Sequence, residues 1–283
     1  MKADLHLHTT ASDGRLTPEE VVMMAVDRGI EIIAITDHDT VGGVDRALVQ
    51  AQKCPQITLI PGVEINTDLK SGELHVLGYF IDHKNESFIS ALEEIRESRI
   101  ARARSMIDKL SRLGIDLEWD RVQELAKGES ICRPHIAQAM LEKGYVGTEK
   151  EAFDNYIGRN GPAYVEREKV QPADAVRLIR NARGLPVLAH PADIVDLDEI
   201  LVELIAAGLV GIEAYYGQYD KKTVDEIISI AHRYNLIITG GTDYHHFCDG
   251  REVPMGSVNI PLDQIQKLFG AAGKTFKSAN SKA

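Results

Sequence analysis

Asp4-Leu5-His6-Leu7-His8, followed by Asp13 in a Ser-Asp-Gly turn, opens the chain. Alternation of this kind predicts a strand, and residues i and i+2 of a strand point to the same side. His6 and His8 therefore stand where Val, Ile or Leu would fill a buried face, and their rings converge on one point. Two neutral imidazoles side by side ligate a divalent cation well. Two surface histidines on an edge strand would give the same short pattern. The other strands have to decide between the two.

They repeat the theme. Thr17-Pro18-Glu19-Glu20 predicts a helix start with Thr17 as N-cap, Pro18 at the first helical position and Glu20 closing a capping box. Ile32-Ile33-Ala34-Ile35 reads as a strand buried on both faces and runs into Thr36-Asp37-His38-Asp39-Thr40. A helix over 43–53 precedes a strand over 57–60, which leads into Pro61-Gly62-Val63-Glu64. A fourth strand over 74–79 carries His75. After about residue 82 the pattern turns helical: a long helix over 86–113 carrying Arg96, Arg99, Arg102 and Arg104, shorter segments over 119–127, 134–143 and 148–157, then an extended stretch at 162–165. Strand–helix alternation resumes at 171. A strand over 185–189 ends in His190-Pro191, another covers 209–213, and a last one over 236–239 leads into Thr242-Asp243-Tyr244-His245-His246. The expected architecture is an α/β barrel of seven βα-like units, built from 1–83 and 171–283. A mostly helical insertion or cap over 84–170 interrupts it. Parallel α/β folds place their chemistry at the C-terminal ends of their strands, where these polar residues fall.

The bulk properties narrow the classes. With 283 residues, 44% hydrophobic and 27% charged, the chain has the composition of a globular protein with one large core or a core plus an insertion. A net charge of −11 argues against a surface for long duplex nucleic acid. It leaves room for an anionic substrate in a pocket whose field is set by bound cations. No bilayer-spanning run or signal peptide is expected, nor an obligate protein partner. Cys54, Cys132 and Cys248 form no CxxC pattern, so neither a disulfide framework nor a zinc knuckle is predicted. A reducing cytoplasm is the expected compartment.

The strand-associated candidates are His6, His8, Asp13, His38, Glu64, His75, His190, Asp243 and His245. They are too many for one tetrahedral ion and suit two or three ions sharing a carboxylate, for which Glu64 is the choice. A donor set of imidazole and carboxylate without thiolate favours Mn²⁺, with Zn²⁺ or Fe²⁺ next. Clustered ions clamp phosphoryl oxygens and bring the pKa of bound water from 15.7 down to about 7.

Taken in order, Asp4-Leu5-His6-Leu7-His8, Ile35-Thr36-Asp37-His38-Asp39, Gly62-Val63-Glu64, Leu74-His75-Val76, Ala189-His190-Pro191 and Thr242-Asp243-Tyr244-His245 resemble the successive motifs of the PHP (polymerase and histidinol phosphatase) family. The resemblance implies a distorted (β/α)7 barrel with a trinuclear metal centre, and hydrolysis by metal-bound hydroxide. Carried over by position, His6, His8, Glu64 and Asp243 would hold one ion. Asp13, His38 and His245 would hold a second, and Glu64, His75 and His190 a third. Asp4, Asp37 and Asp39 would orient the histidines from behind. His246 departs from the motif; His245 is preferred because it lies two residues from Asp243.

Glu97-Ser98-Arg99-Ile100-Ala101-Arg102-Ala103 and Cys132-Arg133-Pro134-His135-Ile136 resemble the insertion of the branch that includes 3′,5′-nucleoside bisphosphate phosphatase and 5′→3′ exoribonucleases. That implies substrate contacts from Arg99, Arg102, Arg133 and His135, with His135 a further catalytic candidate. Arg99 and Arg102 share a helix face, and guanidinium forks match phosphate oxygens. An Arg-rich helix facing solvent beside Glu93, Glu94 and Glu97 is the plainer reading; Arg96 and Arg104 are assigned to it. The expected activity is removal of the 3′-phosphate from adenosine 3′,5′-bisphosphate to give AMP. Exoribonuclease action on short RNA ends is one alternative, and a non-catalytic metal-binding module, which missing ligands would signal, is another.

Overall fold

The structure is a computed structural model that describes residues 1–69, 72–126, 131–166, 170–246 and 252–275. Cys248 and the tail from residue 276 lie outside the described residues. β1 (Ala3–Leu7) is buried along its whole length. α1 (Pro18–Asp27) starts as its sequence predicts: Thr17 accepts from the Glu20 N–H, the Glu20 side chain caps in return, and Pro18 opens the helix. β2 (Ile32–Ile35), α2 (Val44–Gln52), β3 (Thr58–Asp68) and β4 (Glu73–Tyr79) follow. The helical stretch holds α3 (Glu86–Arg112), α4 (Trp119–Ala126), α5 (Arg133–Glu142) and α6 (Glu149–Ala152), which runs on into a π-helical turn over Phe153–Ile157. Then come α7 (Pro172–Asn181), β5 (Leu185–Leu188), a 3₁₀ turn (Pro191–Asp193), α8 (Leu197–Ala207), β6 (Gly211–Tyr216), α9 (Lys221–Arg233), β7 (Ile237–Gly241) and α10 (Leu262–Ala271).

The seven strands lie in sequence order in one sheet. Closure comes from a bridge between Leu7 and Tyr244, where the His8 N–H donates to the Tyr244 carbonyl at 3.0 Å. Gly241 permits this approach: a Cβ there would lie 2.5 Å from the His6 nitrogen. Asp4 fastens the seam. It accepts from the Thr242 N–H (3.0 Å), the Thr242 hydroxyl (2.6 Å) and the Gly256 N–H (2.8 Å).

One expectation fails. The third and fourth units are not parallel βα units. β3 runs through Pro61-Gly62 to Asp68, far beyond residue 60, and pairs antiparallel with β4, which pairs antiparallel with β5. Only glycine fits at 62, where a Cβ would lie 2.8 Å from the Ile35 carbonyl oxygen. The reversal has a functional consequence. His75 lies near the start of β4, so an antiparallel strand brings it to the barrel end where β1 and β2 finish.

Helices cover the outside. Val21, Val22 and Ala47 pack α1 and α2 over Leu7, Ile33 and Ile35, while Val176, Ile179, Leu201 and Ile227 pack α7, α8 and α9 over Val63, Val76 and Ile212. A separate core of Met106, Leu110, Val122, Ile136, Met140 and Ile157 forms within the helical stretch. α3 spans both: Phe88 and Leu92 belong to the barrel core, Met106 and Leu110 to the other. Among the described residues no helix is long and apolar enough to cross a membrane.

Candidate metal centre

The candidate side chains arrive at one end of the barrel from several elements. His6 leaves the last turn of β1's pleat and His8 follows it, their ring centroids 5.2 Å apart. An isolated parallel bridge between His38 and Glu64 extends the β2–β3 pairing, so the loop histidine is placed beside the strand carboxylate. In the β3–β4 ladder Asn66 faces His75. Glu64 shares the Asn66 face of β3 and is therefore a diagonal neighbour of His75. His190, Asp243 and Asp39 sit in loops at positive φ (25°, 54° and 52°), a conformation costing a non-glycine residue about 1–3 kcal/mol.

The spacing suits cations. His6 Nε2 lies 3.2 Å from Glu64 Oε2 and 3.3 Å from Asp243 Oδ1; His8 Nε2 lies 3.2 and 3.1 Å from the same two oxygens. These four atoms have no aligned hydrogen bond although all are buried. Leaving such atoms unsatisfied is costly, and the cost vanishes if they face a shared ion. Ligand atoms about 2.1 Å from one ion stand about 3.0–3.4 Å apart at octahedral or tetrahedral angles, which matches the observed spacings. Among the described residues three groups can hold a metal: His6, His8, Glu64 and Asp243; His8, Asp13, His38 and His245; and His38, Glu64 and His75. His190 Nε2 approaches Glu64 Oε1 at 3.2 Å. Relative to the grouping by motif, His8 also reaches the second group and His38 also reaches the third.

The electrostatics fit the same purpose. Burial alone would raise Glu64, Asp13 and Asp243, but the surrounding imidazoles hold all three well below the ordinary carboxylate range. Burial pulls His8 down, yet the carboxylates of Asp243 and Glu64 beside it push it up to about 10. Burial wins at His38, which falls to about 4 despite Glu64 and Asp13 nearby. The site is thus a set of anionic carboxylates that attract positive charge, whether protons or metal ions.

Behind the cluster stands Glu213, buried on β6, which sequence reasoning passed over as part of a strand. Its Oε1 meets His6 Nδ1 at 3.1 Å and its Oε2 accepts from the His190 N–H at 3.0 Å. A carboxylate on the far nitrogen fixes the tautomer and direction of a ligating imidazole. The Tyr216 hydroxyl donates to Asp243 Oδ2 at 2.9 Å, so this tyrosine positions a carboxylate as well as packing edge-on to Tyr219. The three aspartates assigned to orient histidines also hold other groups. Asp4 accepts from the His6 N–H at 3.4 Å and closes the barrel seam. Asp37 accepts from the Thr9 N–H, the Thr9 hydroxyl and the Ser12 hydroxyl, holding the loop that carries Asp13. Asp39 forms a buried ion pair with Arg99. The structure brings His245 and not His246 to the cluster: His245 stacks on His8 with centroids 4.1 Å apart, while His246 meets the Tyr244 hydroxyl at 2.6 Å. The loop does this, since β7 ends at Gly241 and strand periodicity no longer applies.

Beside the cluster lies a cavity of about 210 Å³ lined by Asp13, His38, His75, Arg99, Arg102 and Arg133, among others. Three of the four predicted substrate residues therefore do meet. Arg133 Nη2 lies 2.6 Å from Glu73 and Arg102 Nη2 3.8 Å from the same carboxylate. His135 is separated from them. Its Nδ1 accepts from the Cys132 N–H at 3.0 Å, capping α5, and it lines a neighbouring cavity of about 340 Å³ that shares Asp13. Arg96 is no surface residue either: it donates to the Asp39 carbonyl at 3.1 Å.

Known proteins place this geometry. The PHP domain profile matches residues 4–248. A 5′-3′ exoribonuclease of Haemophilus influenzae is 32% identical over 87% of this chain and 91% of its own. A 3′,5′-nucleoside bisphosphate phosphatase of Chromobacterium violaceum is 33% identical over 86% of each. A solved structure from Bifidobacterium adolescentis, described as a metal-dependent phosphoesterase, aligns with a TM-score of 0.86 at 28% identity over 95% of this chain and 96% of that one.

Proposed function

Because this chain belongs to the PHP domain family, we propose that it is a metal-dependent hydrolase of phosphate esters, which removes the 3′-phosphate of adenosine 3′,5′-bisphosphate. The observation that carries the reading is a juxtaposition. Asp13, His38 and His75 belong at once to the candidate metal groups and to the wall of the arginine-lined cavity. A substrate with two phosphates can set one against the cations and the other against the guanidinium groups.

Two or three divalent ions, manganese before zinc or iron, would be held by His6, His8, Glu64 and Asp243, by Asp13, His38 and His245, and by Glu64, His75 and His190. Such ions neutralise phosphoryl oxygens and acidify water. The chain supplies the rest. Glu213 and Tyr216 aim His6 and Asp243. Arg102 and Arg133 hold the second phosphate, and Arg99, fixed by Asp39, sets a positive charge in the wall. His135 is left out of this clamp, because its Nδ1 serves the helix cap. Residues 84–170 act as the insertion that brings the arginines to the barrel, and a reducing cytoplasm suits Cys54 and Cys132, which form no disulfide.

The cavity beyond His135 favours a second reading, exoribonuclease action, because it gives a longer chain somewhere to run past Asp13. One screen separates the two: phosphate and nucleotide release by the Mn²⁺-loaded protein from adenosine 3′,5′-bisphosphate, histidinol phosphate and a short 5′-phosphorylated RNA. The bisphosphate should be hydrolysed fastest. Faster nucleotide release from the RNA would select the second reading, and no turnover of any substrate would overturn both.

A further inference from the structure

Glu73 puts a carboxylate where an anionic substrate group is expected. It stands two residues before His75 on β4, hence on the same strand face, and lines the same cavity as the three arginines. One oxygen lies 2.6 Å from Arg133 and the other 3.8 Å from Arg102. We infer that Glu73 is an internal competitor for the guanidinium clamp, which any anionic substrate group must displace on binding.

Charge and exposure set Glu73 apart from the other acid at the clamp. Arg99 pairs with Asp39, while Arg102 and Arg133 approach Glu73. The Asp39–Arg99 pair is sealed, with side chains 0% and 7% exposed, and Asp39 also accepts from the Asn66 N–H at 3.0 Å. Displacing Asp39 would strand a buried carboxylate. Glu73 is different: its side chain is 31% exposed, so it can return to water at small cost. It also borders an adjoining cavity of about 260 Å³ beside His75 and His190, which gives the displaced carboxylate a place to go. A terminal monoester brings about −1.5 to −2 and three oxygens, against one charge and two free oxygens for a phosphodiester, so it binds the clamp more tightly; each must displace Glu73, which weakens both by the same factor.

The inference builds on the clamp proposed above, but its test needs no turnover. AMP and its 5′-methyl ester are titrated calorimetrically into the metal-loaded protein and into the Glu73→Gln variant. The wild type should bind AMP about tenfold or more tightly than the ester. In Glu73→Gln both ligands should tighten by a similar factor, about threefold or more, with the ratio nearly unchanged. Unchanged or weakened binding of both ligands, or no binding of AMP to the wild type, would overturn it. If the phosphate-release screen instead shows no hydrolysis, the substrate reading falls while the affinity gain in Glu73→Gln still reports on Glu73.

Discussion

The two oxygens of Glu64 meet different partners. Oε1 lies 2.8 Å from His75 and 3.2 Å from His190, whereas Oε2 lies within 3.2 Å of His6, His8 and His38. That division is what a bridging carboxylate requires, and it follows from a strand residue buried at a junction of five imidazoles. The same anionic field draws protons onto the histidines when no cation competes. His8, pushed up to about 10, is protonated at neutral pH in the metal-free protein, and a metal ion must displace that proton. Metal loading at pH 7 should therefore release at least one proton per chain, and apparent affinity should rise about tenfold per pH unit per proton released. Calorimetry in buffers of different ionisation enthalpy measures this directly; zero net release would contradict the assignment of His8. The ligand candidates were legible in sequence because each follows or interrupts an apolar strand. Glu213 was not, because its partner His6 is 207 positions away and Gly211-Ile212-Glu213 reads as an ordinary strand end.

At the scale of elements, α3 has a structural role beside the one proposed for its arginines. Its middle is locked to the β2 loop through the buried pair Arg99–Asp39, and Arg99 also donates to Cys132 Sγ at 3.4 Å, which ties in the start of α5. Removing one partner of a buried pair leaves the other charge uncompensated. Arg99→Ala should destabilise the fold by about 3–5 kcal/mol, read by denaturant titration; a loss below about 1 kcal/mol would mean the pair behaves as a surface one. Sequence pattern placed α3 and its arginines almost to the residue, since a long 3.6-residue period is unambiguous. It had no means of pairing residue 99 with residue 39. Nor could it show the direction of β4, because residues 74–79 read the same way parallel or antiparallel. The hairpin rather than a helix between β3 and β4 is the part of the fold that only tertiary pairing reveals.

Across the whole molecule, the barrel carries the metal candidates and the helical stretch carries Arg99, Arg102 and Arg133. Binding of a second phosphate and the chemistry at the first are thereby assigned to different parts of the chain. Arg133→Ala should raise KM for adenosine 3′,5′-bisphosphate by about tenfold or more and leave KM for an aryl phosphate nearly unchanged. Equal effects on both substrates would remove Arg133 from the clamp. The negative net charge, −11, is no obstacle, because the positive charge needed is local and enclosed.

The claim on which all of this depends is that the clustered imidazoles and carboxylates hold divalent ions around Glu64. Anomalous scattering from a crystal of the Mn²⁺-loaded protein tests it most directly. At least two peaks are expected, on either side of Glu64, with ligand atoms of His6, His8, Asp243, His38 and Asp13 about 2.0–2.3 Å away. A fully loaded crystal with no peak within reach of Glu64 would contradict it.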